Sequence, residues 1–182
     1  MTIVDDRATR SWSISDCARY RYSLTLRWGS GERLITWVLL NPSMVDEMVD
    51  DPTTRRVGEF SRRWGYDRLE IVNLFALRAV RPEELSSVED PVGPKNLAFV
   101  RHAITNAELV VVGWGDGIQH AVSQPETLDE VVRLRRANTA MLCFGVTEAG
   151  HPLHPGSLDR SSIPLVWTPQ RAPLNKPFPT AS

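Results

Sequence analysis

Residues 34–40, LITWVLL, are apolar on both faces that a strand would present, and no other stretch constrains the fold as tightly. A strand of this kind needs cover on each side, which a sheet packed between helices provides. Three further apolar runs follow: 69–77 (LEIVNLFAL), 109–114 (LVVVGW) and 140–146 (AMLCFGV). The segments between them read as helices. Asp51 can cap a helix that starts at Pro52, buries Val57, Phe60 and Trp64 on one side, and stops at Gly65. Gly93-Pro94 opens a second helix with Leu97, Val100, Ile104 and Ala107 on one face, and 125–136 reads as a third.

Strand and helix alternating in this way predict an α/β protein: a three-layer α/β/α sandwich with a mostly parallel central sheet. Residues 22–28 (YSLTLRW) and 34–40, joined by GSGE, read as an N-terminal antiparallel hairpin. Residues 163–167 add an edge strand, and the tail from Thr168 carries four prolines with little periodic pattern. The 182 residues are enough for one good core and short for two. The expected organisation is an N-terminal segment 1–21, a single domain 22–167 and a Pro-rich tail 168–182.

A net charge of -1 argues against an extended grip on duplex nucleic acid, because that grip scales with the number of cationic phosphate contacts. All the cations but Lys95 and Lys176 are Arg, which is the better bidentate ligand for phosphate or carboxylate, although Arg-biased coding produces the same excess. Cys17 and Cys143 are the two cysteines, and Cys143 lies in an apolar run that suits a buried thiol. They indicate neither a disulfide framework nor a cysteine metal cluster. No apolar signal core and no stretch of ~20 apolar residues occurs, so the expectation is a cytoplasmic protein without a membrane partner.

Right-handed crossovers would bring the carboxyl ends of the parallel strands to one edge, where ligands of such sheets bind. Four polar or glycine-rich segments fall there: Asn41-Pro42-Ser43, Asn73 with Arg78, Gly113-Trp114-Gly115-Asp116, and 147–155. Asn41 offers a donor and an acceptor to a base edge or a water, or else closes an Asx turn. Asn73 interrupts an apolar run, where an amide needs a buried partner or a ligand. Period two puts Phe75 on the same side, and an amide beside an aromatic plane suits a flat heterocycle. Arg55 and Arg56 lie near the N-terminus of their helix, a plausible seat for phosphate or carboxylate, or a solvated face paired with nearby acids.

The acids Asp46, Glu47, Asp50 and Asp51 lack the ligand alternation and central Gly of a calcium loop. In GHPLHP, two prolines stiffen a loop carrying His151 and His154, either of which could donate to a developing anion or move a proton near neutral pH. As zinc ligands they would need partners, and His102 and His120 fall on other elements. No G-x-S-x-G elbow, P-loop or G-x-G-x-x-G occurs. Neither a metal nor a cofactor is therefore expected. GWGDG would let a substrate approach the backbone closely.

LLNPSMVDEMVDDPTTRR, IVNLFALRAVRPEEL, DPVGPKN, VVVGWG and GVTEAGHPLHPGSL together resemble a bacterial and phage family catalogued as domain of unknown function sixteen-forty-three, over about 22–167. More distantly, the order of motifs is similar to that of the uracil-DNA glycosylase superfamily. That resemblance implies the same α/β/α fold. It also implies that Asn41 places the attacking water, Asn73 reads the base, and His151 or His154 stabilises the departing base.

The resulting expectation is a protein that binds a nucleobase, nucleoside or nucleotide at the carboxyl edge of its sheet and hydrolyses an N-glycosidic bond. Asn41, His151 and His154 are the candidate catalytic residues. Ser43, Asp51, Arg55, Arg56, Asn73, Phe75, Arg78 and Trp114 are the candidate substrate contacts. The alternative is a non-catalytic module for a nucleotide or nucleic-acid end, since Asn41 is not a carboxylate.

Overall fold

The computed structural model describes residues 8–44, 51–121, 124–137, 140–159 and 161–169. Asp46, Glu47 and Asp50 of the acidic loop and most of the Pro-rich tail lie outside the described residues. Among those described are seven strands: β1 (Thr9–Ile14), β2 (Arg21–Arg27), β3 (Leu34–Leu39), β4 (Arg68–Asn73), β5 (Leu109–Val112), β6 (Met141–Cys143) and β7 (Leu165–Val166). They form one sheet in the order β1-β2-β4-β3-β5-β6-β7. The helices are α1 (Pro52–Arg63), α2 (Asn96–Asn106) and α3 (Glu126–Arg136).

The sheet is mixed, not mostly parallel. Strands β4, β3, β5 and β6 run parallel at its centre, while β1, β2 and β7 are antiparallel to their neighbours. The reason lies in the connections. A parallel pairing needs a long crossover, and helices supply it only between the central strands. β1 is joined to β2 by a short turn, and the described residues between β6 and β7 hold a single 3₁₀ turn and no α-helix.

The expected hairpin between 22–28 and 34–40 is also corrected. The N-terminal antiparallel pair is β1 with β2, and β2 pairs next with β4. Both edges of β3 are taken by parallel partners, β4 and β5, as its two apolar faces require of a central strand. The GSGE segment wraps the start of β4 instead: Trp28 and Gly29 donate backbone N–H groups to the Asp67 carbonyl. A Cβ added at Gly29 or Gly31 would sit 2.3 Å from an Asp67 carboxylate oxygen, so a larger residue there would have to displace the Asp67 side chain.

Alternation along the strands divides the core between the two faces of the sheet. Ile35, Trp37, Leu39, Leu69, Ile71 and Val111 pack with Val57 and Phe60 of α1. Val38, Val72, Val110 and Val112 pack with Val100, Ala103 and Ile104 of α2 and Val131 of α3. On this second face Glu130 of α3, 7% exposed, accepts hydrogen bonds from Arg133 at 2.7 Å and Arg101 of α2 at 2.6 Å. The Arg133 hydrogen bond, joined by that from Arg101 and opposed by desolvation, brings the Glu130 carboxyl down to about 2. No helix among the described residues is long and apolar enough to cross a membrane.

Candidate functional site

The parallel strands end on one edge, and β2, running the other way, begins there with buried Arg21. Helix α1 also starts there. Asp51 caps it by accepting the Thr54 N–H at 2.8 Å, and the same carboxylate accepts the hydroxyls of Ser43 at 2.9 Å and Thr54 at 3.2 Å. These three donors fix the carboxylate on the loop that follows β3.

Two cavities of about 290 Å³ each open along this edge. The first lies on the α1 side, between Arg21, Leu39, Asn41, Ser43, Asp51, Thr53, Thr54, Ile71, Asn73 and His154. The second is lined by Leu40, Asn41, Ser43, Val80, Pro82, Trp114, Gly115, Asp116, Gly117 and His154. Leu39 faces one cavity and Leu40 the other, so the rim of β3 separates them. Asn41, Ser43 and His154 belong to both and form a shared wall.

Asn73 closes β4 and is 2% exposed, yet its side-chain oxygen has no hydrogen-bond partner among the described residues. A buried acceptor left in this state costs ~1–3 kcal/mol unless something supplies a donor. Its backbone is held tightly. The Asn73 carbonyl accepts from the buried Asn96 amide at 2.9 Å, and the next carbonyl, Leu74, accepts from Asn96 at 3.1 Å and from the Thr127 hydroxyl at 2.6 Å. Side chains from α2 and α3 thus pin the strand end that presents Asn73. At Asn41 the amide nitrogen donates to the carbonyls of Pro42 and Ala79, both at 3.2 Å, so the oxygen is the group it can offer a ligand.

His154 accepts the Gly156 N–H on Nδ1 at 3.1 Å, which places the proton of the neutral ring on Nε2. Burial pushes this imidazole below its ordinary range, and nearby Asp51 offsets part of that. The loop carrying it is locked to the loop after β5. The Gly115 N–H donates to the Pro152 carbonyl at 2.8 Å, and at Gly115, with φ +65°, an added Cβ would lie 3.1 Å from the His154 Cβ. That close approach requires glycine. Trp114 beside it is 2% exposed and meets Trp167 edge-on at 5.4 Å, and its indole N–H has no partner among the described residues.

Asn41, Ser43, Asp51, Asn73, Trp114 and His154 are thus gathered around the two cavities. His151 is not on either. It is half-buried near Asp116, and burial lowers its imidazole while Asp116 acts the other way. Phe75 is 1% exposed within the α2 and α3 core, because β4 ends at Asn73 and the period-two relation ends with it. Arg56 donates to the Leu158 carbonyl, and Arg55 is exposed; neither lines a cavity. Arg78 reaches the carbonyls of Ala18 and Met44 at 3.5 and 3.4 Å, tying the N-terminal pair to the loop after β3.

Three contributors were not anticipated. Arg21 reaches the edge because β2 is antiparallel, which no local pattern reveals. Asn96 and Thr127 are buried polar residues at helix starts, and the polar interruption in GPKNLAFV was the available signal for Asn96. Residues 21–156 match the sequence profile of a family described as protein of unknown function (DUF1643). No curated protein and no solved structure matches the chain.

Proposed function

Since the chain belongs to that family, DUF1643, its chemistry has to come from its own cavities, and we propose that it binds a nucleobase or nucleoside at the carboxyl edge of the sheet and hydrolyses the N-glycosidic bond. The observation that carries this reading is the buried, unpartnered Asn73 oxygen on a cavity that also holds a carboxylate and a neutral imidazole. An unpartnered acceptor on a residue that lines a small chamber suits a ligand with an N–H in a planar ring, as a nucleobase provides. The same reading takes the mixed sheet and its helices as a three-layer α/β/α sandwich of the uracil-DNA glycosylase kind, with α1 opposite α2 and α3.

In this mechanism Asn73 holds the base. Asn41 accepts one hydrogen of a water, and the Asp51 carboxylate accepts the other. The water oxygen bonds to the anomeric carbon as the carbon–nitrogen bond breaks, its electron pair leaving on the base. One water proton passes to Asp51, and the base, stabilised as it leaves by the Nε2–H of His154, takes up a proton from solvent while Asp51 gives its own back to solvent, leaving free base and free sugar. Positioning and charge stabilisation supply the rate. Asp51 on this cavity supports the catalytic reading over a non-catalytic module, whose ground is that Asn41 is not an acid.

Chromatographic detection of free base after incubation with ribo- and deoxyribonucleosides and uracil-containing single-stranded DNA tests the reading, alongside Asn73→Ala. We expect base release by the wild type. Asn73→Ala should leave the melting temperature unchanged or slightly raised while abolishing both turnover and ligand-induced stabilisation, which reaches ~2.7 kcal/mol at a hundredfold excess over Kd. No release from any substrate, or a large fall in melting temperature with the ligand response intact, overturns it.

A further inference from the structure

The second cavity has a chemistry of its own, and we infer that it is a pentose subsite, so that the ligand is an uncharged nucleoside with its base in the first cavity and its sugar in the second. This rests on the nucleobase reading of the first cavity. Its independent support is the lining of the second. The buried indole N–H of Trp114 lacks a partner among the described residues and calls for an acceptor. Asp116 calls for donors: one carboxylate oxygen accepts the Thr147 hydroxyl at 2.6 Å, and the other has no hydrogen-bond partner among the described residues. His154 adds an Nε2–H donor from the shared wall.

A sugar hydroxyl gives and accepts a hydrogen bond at one atom, and a carboxylate is a proven partner for ribose hydroxyls. Phosphate fits poorly. It offers acceptors only, it would bring its charge beside Asp116, and no Lys or Arg among the described residues lines this cavity. The geometry between the cavities agrees. Asn41, Ser43 and His154 line both cavities, so a ligand bridging the two along the open edge carries its base–sugar bond past these three residues.

Isothermal titration of the full chain with uracil, adenine, D-ribose, uridine, adenosine and the two nucleoside 5′-monophosphates tests the assignment, with catalysis followed in parallel. The expected order is nucleoside at least tenfold tighter than its free base and tenfold tighter than its 5′-monophosphate. Asp116→Asn should shrink the gap between nucleoside and monophosphate and leave free-base affinity unchanged. The wild-type ranking alone decides the matter should that variant fold poorly. Bases and nucleosides binding alike, or monophosphates binding at least as tightly as nucleosides, overturns the pentose subsite and leaves the nucleobase reading standing. Binding of ribose without any base or nucleoside sinks the nucleobase reading and keeps the subsite. Binding of none of the six sinks both.

Discussion

Asp51 carries two roles that substitution can separate. As a helix cap it accepts the Thr54 N–H, a task Asn performs about as well and Ala does not. As the proton acceptor of the proposed mechanism it would not be replaced by Asn. Asp51→Ala should therefore lower stability by ~1 kcal/mol, whereas Asp51→Asn should leave the melting temperature within about a degree and reduce base release by roughly a hundredfold, within the range general-base catalysis supplies. Denaturation curves and turnover on one nucleoside measure both. Full activity in Asp51→Asn would return the water to Asn41 alone. The cap could be read from Asp51-Pro52, and the buried amide of Asn73 from one polar letter inside an apolar run. The directions of Arg55 and Arg56 could not, since a residue's reach depends on helix phase relative to a cavity that other elements build.

Among the elements, the central strands and the three helices follow from hydrophobic period, because each must bury a specific face. Neighbour relations do not follow in the same way. GSGE between two apolar runs has the local form of a hairpin, yet β3 had already committed both edges to β4 and β5, and that competition is settled by tertiary packing. The contact between α2 and α3 yields a pH-dependent prediction. Glu130 titrates lower in the folded protein than in the unfolded chain, so the unfolded chain binds the proton first as pH falls. Its contribution is complete above the ordinary carboxylate range and drains away as the pH falls toward about 2. Glu130→Gln should cost ~1–3 kcal/mol near pH 7, by the usual worth of hydrogen bonds to charged groups, and the deficit relative to wild type should shrink steadily between pH 5 and pH 3, on the order of the interval separating the two protonation equilibria. Urea denaturation at several pH values measures it; a deficit independent of pH would show that packing, not charge, is what Glu130 contributes.

The whole molecule holds two cores back to back on one sheet, and neither can dissolve without exposing a face of the strands they share. Phe60→Ala on the α1 face should cost ~3–5 kcal/mol and Ile104→Ala on the α2 face ~2–5 kcal/mol. Both should shift a single unfolding transition, with intrinsic fluorescence and far-ultraviolet circular dichroism moving together. Two separated transitions in either variant would show that the faces fold independently. At this scale the sequence disclosed the alternation of strand and helix and the edge where the polar loops gather, while the pairing of cavities across that edge emerged only from the assembled loops. The interlock between those loops sets a limit on how such a protein can diversify. With the Gly115 N–H bound to the Pro152 carbonyl and the glycine pressed against His154, inserting a residue in either loop would carry the imidazole off the shared wall. A length change in one of the two loops should therefore displace His154 unless the other changes with it.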